Sequence, residues 1–200
     1  TDQMIDTPTN NFCTLNPLPA NHGAGPRNTY QDMSEGNLKT MGNTATDSAN
    51  VSGTIAFTEG KWYFECYVVG VSTSYNYPRI GMIDTPNTGL PSRLAGEANT
   101  LGVTYQTNGE KGIAGTFSSY GNTFTTGDVV GMSIDADNGA AYFSKNGTWQ
   151  NSGVPTSGAS KTNAAYTWTA GTIEFTPSWL PYTTAGGGVA NFGQDSSFAA

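Results

Sequence analysis

The chain has 200 residues, a net charge of −7 and only 12% charged residues, and Thr, Ser and Asn together make up 63 positions. Eight Lys and Arg, spread singly, offer no stripe to neutralise phosphates, so nucleic-acid binding is excluded. No apolar run reaches 18 residues and no long Ala/Glu/Lys/Leu stretch occurs, which excludes helical membrane spans and helix bundles.

Residues 1–35 differ from the rest. They carry Pro8, Pro17, Pro19 and Pro26 and show no sustained periodicity. Proline fixes its own φ and restricts the residue before it, so an extended arm is expected. Phe12, Leu15 and Leu18 are its apolar docking points, either on its own domain or on another subunit in an assembly role. The chain opens on Thr1 and is read as processed or as a segment of a longer one. Cys13 and Cys66 lie 53 positions apart, which is neither a metal spacing nor a disulfide framework. A buried free thiol is the default for Cys66, with a Cys13–Cys66 bond left open.

From residue 36 onward short apolar alternations are separated by Gly, Asn, Asp and Ser turns, the pattern of a sandwich or barrel. In Lys61–Gly70, Trp62, Phe64, Cys66 and Val68 share one face and Tyr63, Glu65 and Tyr67 the other. Trp62 and Phe64 are expected in the core. Arg79–Asp84 and Leu101–Tyr105 read as strands, with Leu101, Val103 and Tyr105 on one face. Asp128–Ser144 reads as a hairpin turning at Asn138-Gly139. A second turn at Asn146-Gly147 leads to a short strand beginning at Trp149. Residues 150–170 form a long polar loop. Ile173 and Phe175 head another strand. Gly186-Gly187-Gly188 marks a bend or bulge before a last strand at Val189–Gly193.

The order of these motifs resembles that of a SPRY domain. The matching elements are Gly60–Glu65, Arg79-Ile80-Gly81, Leu101-Gly102-Val103 with Tyr105, Gly127–Gly131 leading to Ile134-Asp135, Ala141–Gly147, Phe175-Thr176-Pro177 and Val189–Gln194. The flanks Asp6–Pro17, Ser34–Leu38 and Asn191–Phe198 resemble SPRY modules of tailed-bacteriophage virion proteins. The resemblance implies an all-β fold, a bent antiparallel β-sandwich of SPRY or concanavalin A-like jelly-roll type over residues 36–200, preceded by the extended arm. It also implies a non-catalytic binding and assembly module whose ligand surface is built from inter-strand loops. The 150–170 segment departs from the family as an insertion.

Catalytic chemistry is scarce. The single histidine, His22, sits in a loop of the arm, and a nucleophile needs a base held against it. A jelly-roll glycan hydrolase needs two carboxylates about 5–10 Å apart, yet Glu65 and Glu174 each stand alone in their runs. Asp135, Asp137 and Asn138 begin like a calcium loop, but position 12 is Asn146. No catalytic residue, metal or cofactor is therefore expected. Recognition chemistry is better supplied by Tyr75, Asn76, Tyr77 and Arg79 in one loop. Tyr105 and Asn108 lie at a strand end, Trp149 at another, and Tyr166 and Trp168 in the long loop. Trp149 fits the core or a binding surface about equally. The expected function is that of a virion structural protein, a fibre, spike or decoration component located on the particle. Its expected partners are other virion proteins and a host-surface glycan or protein, with homo-oligomeric assembly.

Overall fold

The computed structural model describes residues 11–17, 31–43, 50–72, 75–85 and 95–198. Among them are fourteen strands: β1 (Gln31–Ser34), β2 (Lys39–Gly42), β3 (Val51–Ser52), β4 (Lys61–Gly70), β5 (Arg79–Asp84), β6 (Gly102–Tyr105), β7 (Glu110–Ile113), β8 (Thr116–Ser119), β9 (Val129–Asp135), β10 (Ala140–Lys145), β11 (Thr148–Trp149), β12 (Tyr166–Thr167), β13 (Phe175–Leu180) and β14 (Gly187–Asn191). They form two antiparallel sheets. The larger runs β1-β2-β14-β4-β9-β10-β11, with β12 also on β10; the smaller runs β3-β13-β5-β6-β7-β8.

Period-two alternation explains the core. Phe64, Cys66 and Val68 of β4 meet Val130, Met132 and Ile134 of β9, with Ala141 and Phe143 of β10 alongside. The small sheet contributes Ile80, Met82, Val103, Tyr105, Phe175 and Trp179. The glycine bulge is present, as a register shift between Gly187 and Gly188. Gly188 also lets the indole of Trp179 lie against the backbone, since a Cβ there would stand 2.6 Å from that ring.

Two expectations need correction. Trp62 has the parity of the core but is 42% exposed, stacked on Phe57 at a ring distance of 5.7 Å. It lies near the start of β4, and its indole N–H donates to the Glu59 carbonyl at 2.7 Å instead of entering the core. Leu101 precedes β6 and is exposed. β5 keeps its alternation, with Ile80 and Met82 in the main core, yet all six of its residues are buried because Tyr77, Ala95 and Leu180 cover Ile83 on the outer side. Cys13 and Cys66 are free and buried, in line with the default reading of Cys66, and the bond left open between them does not form.

The arm does not stand apart. Leu15 bridges to Gly53, its N–H donates to the Asn37 carbonyl at 2.9 Å, and Asn16 N–H donates to Ser52 at 2.8 Å. Residues 14–16 thus cover the outer edge of β3, and Leu15 enters the core. Phe12 lines a small apolar cavity with Phe57, Trp62 and Phe192. These two side chains therefore pack on their own domain and are not a free assembly surface. The boundary expected after residue 35 falls between β1 and β2, a hairpin paired from Gln31↔Gly42 to Ser34↔Lys39. Leu18 and His22 lie outside the described residues.

The long segment is ordered by short local structure. Two 3-10 turns, Gln150–Ser152 and Gly158–Ser160, precede β12. The segment folds over the outer side of β10, where Tyr142 and Ser157 hydroxyls meet at 3.2 Å, and this buries Tyr142.

Two turn carboxylates set the acid limit of the fold. Asp135 accepts from Asn138 N–H at 3.1 Å, Asn138 Nδ2 at 2.9 Å and Lys61 Nζ at 3.2 Å. Asp128 accepts from Asn146 Nδ2 at 2.8 Å, Thr125 N–H at 2.8 Å and Lys145 at 3.1 Å. Burial alone would raise both pKa values, but these donors outweigh it and hold both below the ordinary carboxylate value. Their stabilisation is complete above the unfolded-state value of about 3.9 and is lost as pH falls through the lower folded-state values. The thermal midpoint is expected to drop progressively as pH falls below about 5. Asp135→Asn should lower the midpoint at neutral pH and flatten that acid slope; an unchanged slope would remove Asp135 from this role.

Candidate binding surface

Strand registers decide which loops share an end. Gly70 of β4 pairs with Gly187, Tyr67 with Val129, and Lys145 of β10 with Val130. In the small sheet Leu180 pairs with Arg79, Ile80 with Tyr105, and Glu110 with Ser119. The segment 181–186 joins Leu180 to Gly187, so both sets lie at one end of the sandwich. The described loop residues there are 71–72, 75–78, 106–109, 120–128, 146–147 and 181–186. The five small-sheet strands from β13 to β8 spread this end over roughly 19 Å at about 4.8 Å per strand.

The Tyr75–Arg79 and Tyr105–Asn108 segments meet at this end; the Tyr166–Trp168 segment does not. β12 pairs Thr167 with Ala140 and Tyr166 with Ala141, at the opposite end of β10. There Trp168 packs on Phe175 and enters the core, while Tyr166 stacks on Trp168 at 5.8 Å. Trp168 is thus a core residue and is corrected as a ligand contact, and Tyr166 is half-buried beside it.

Within the Tyr75–Arg79 loop the residues divide. Tyr75 is 56% exposed, with its ring edge-on to Tyr182 at 4.9 Å. Asn76, at φ +59°, turns the chain in the left-handed region that asparagine tolerates. Tyr77 is buried and stacks on Tyr182 at 4.8 Å. The Arg79 guanidinium lies between the rings of Tyr77 at 4.3 Å and Phe117 at 4.8 Å, and pairs with Glu97 at 2.5 Å. Only 9% exposed, it braces β5, β8 and the 95–100 segment and does not reach toward a ligand. Tyr77 and Arg79 therefore support Tyr75 from below.

Tyr105 is wholly buried, so its expected ligand role is corrected to support. Its hydroxyl donates to the Asn122 carbonyl and fixes the 120–124 loop. Asn108 is exposed and donates to Glu110 at 2.7 Å. The 106–109 turn holds the neighbouring loop through its Gly109 carbonyl, which accepts from Tyr120 and Gly121 N–H groups at 3.1 and 2.9 Å. Beside it a polar cleft of about 480 Å³ is lined by Gly121, Asn122, Thr148, Trp149 and Asn151 among others. Buried Gln150 ties its two sides, accepting from Asn122 N–H at 2.8 Å and donating to the Thr148 carbonyl at 2.8 Å. Asn122, Asn151 and Tyr182 escaped the sequence reading, because no local periodicity marks loops that meet only through the fold.

Glu65 and Glu174 do not approach as a catalytic pair would. Glu65 lies on β4 of the large sheet and accepts from Tyr63 at 2.7 Å. Glu174 precedes β13 of the small sheet and accepts from Thr85 at 2.6 Å.

The SPRY domain family profile matches residues 61–168, more than half of the chain. The chain belongs to the SPRY domain family. Ran-binding protein 9 of Xenopus tropicalis is 34% identical over 129 residues, 59% of this chain and 22% of that protein. The Homo sapiens protein of the same name is 32% identical over 142 residues, 66% of this chain and 18% of that protein. The chain thus spans about a fifth of the length of these curated relatives. The SPRY domain of human HERC1 has a TM-score of 0.56 at 15% identity, covering 80% of this chain and 89% of that one. This similarity shows the shared sandwich fold.

Proposed function

We propose that this SPRY chain is a non-catalytic protein-binding module acting through the loop end, carried as a structural component of a bacteriophage virion. The observation that carries the binding part is the column Tyr75–Tyr182–Tyr77–Arg79–Phe117. Its buried members hold one large ring, Tyr75, in solvent beside polar loops. A rigid aromatic anchor next to adaptable amides is the composition that protein recognition favours. The Ran-binding names of the relatives support a protein ligand. The virion setting is supported by the flanking motifs Asp6–Pro17, Ser34–Leu38 and Asn191–Phe198. Repetition on a particle would raise weak binding by avidity.

The test begins with peptides selected on the immobilised chain from a random peptide library. Tyr75→Ala combined with Asn122→Ala is expected to weaken the selected peptides at least tenfold by calorimetry, about 1.4 kcal/mol. The thermal midpoint should hold, since Tyr75 is exposed and only the Asn122 backbone anchors its loop. Peptides that bind the double variant as well as the native chain would refute the loop end as the site. Mass spectrometry of purified particles from the encoding phage checks the virion part, which fails if the chain is missing from them.

A further inference from the structure

We infer that the outer face of the large sheet carries a second binding site, for a neutral oligosaccharide. The outward row of β4 is Tyr63, Glu65 and Tyr67, with Tyr63 48% and Tyr67 38% exposed. Exposed rings on a sheet face are usually isolated, but here they are organised. Gly131 of β9 lies opposite Glu65 and, on its other side, opposite Ser144. A Cβ on Gly131 would stand 2.5 Å from the Tyr63 hydroxyl oxygen and 2.5 Å from Ser144 Oγ. The missing side chain is therefore what lets the phenol lie down across β9. Its hydroxyl donates to Glu65 Oε1 at 2.7 Å and is hydrogen-bonded by Ser144. Trp149 closes the row edge-on, 6.3 Å from Tyr63 at 71°.

A cleft of about 540 Å³ opens beside this row, with Glu65, Tyr67, Asn146 and Phe198 among its walls. At Gly127 and Gly147 an added Cβ would meet nothing within 4 Å, so the cleft is open to solvent there. Its described lining contains a carboxylate and no Lys or Arg, which disfavours an anionic ligand. An extended peptide would look for unpaired backbone, but β4 is hydrogen-bonded on both sides, to β14 and β9. The face offers instead flat rings, the Glu65 acceptor and the second amide N–H of Asn146, whose first donates to Asp128. A sugar presents a C–H face to stack on rings and hydroxyls to pair with such groups. The site borders the loop end at Gly127, Asn146 and Gly147 but is built on the outer sheet face, and it does not depend on the reading proposed for that end.

The experiment is native electrophoresis of the full chain through gels containing soluble glucan, mannan, galactan or xylan, with polygalacturonate as the anionic comparison. At least one neutral polymer should retard the chain more than polygalacturonate does. Tyr67→Ala and Glu65→Gln should each weaken that retardation at least tenfold in apparent affinity, at unchanged thermal midpoint, while Tyr75→Ala should retain it. The inference is overturned if none of the four neutral polymers retards the native chain, if polygalacturonate alone does, or if Tyr67→Ala migrates as the native chain does.

Discussion

Tyr105→Ala is expected to destabilise the domain by about 3–5 kcal/mol, the range for removing a fully buried aromatic ring. For a domain of this size that lowers the thermal midpoint by roughly 6–20 °C, at about 2–4 °C per kcal/mol. The ring packs on Tyr120 at 5.7 Å, Phe124 at 5.3 Å and Phe143 at 5.3 Å, joining both sheets to the 120–124 loop. Burial holds its phenol above the ordinary tyrosine range, so the hydroxyl stays a donor at working pH. Tyr105→Phe separates packing from hydrogen bonding. It keeps the ring and loses the bond to the Asn122 carbonyl, for a cost of about 1 kcal/mol. A Tyr105→Ala midpoint within 2 °C of native would contradict this placement and return Tyr105 to the list of ligand contacts.

Tyr105 also shows what was legible in the sequence. The strand around it was readable, because Val103 and Tyr105 alternate with Gly102 and Thr104. Alternation tells which residues share a face; it does not tell whether that face lies inside the sandwich. For β4 both faces carry rings, and only the facing sheet decides that Phe64 is buried while Tyr63 is exposed. The meander from β9 to β11 was legible because its turns are local, at Asn138-Gly139 and Asn146-Gly147. β7 and β8 were not, since Glu110–Ile113 and Thr116–Ser119 carry few apolar residues at the sheet edge. The loop end was half legible: Tyr75 and Asn108 were singled out. Tyr182 and Asn122 come from loops far along the chain and meet them only through strand register. The row on the outer sheet face was hidden for another reason. Tyr63 and Tyr67 read as an ordinary solvent face until Gly131 is seen beneath the phenol.

Leu15→Ala is expected to cost about 2–5 kcal/mol, as large a loss as a mutation in a central strand. Leu15 is 2% exposed and belongs to the main core cluster although it lies in the proline-rich segment. Its backbone is held as firmly, because Thr54 N–H donates to the Thr14 carbonyl at 2.8 Å while Asn16 pairs with Ser52. These bonds extend the small sheet past β3, whose two residues would otherwise leave an open edge. Asn11→Ala, at an exposed position of the same segment, should stay within about 0.5 kcal/mol of native. Urea titration of both variants at equal protein concentration measures the contrast, and similar midpoints for Leu15→Ala and Asn11→Ala would refute it. The result bears on assembly. Removing residues 1–35 would delete Leu15 and β1 together, so loss of particle attachment by that truncation would report an opened core. A role for the arm in docking on a neighbour has to be sought with Leu15 and its strand left in place.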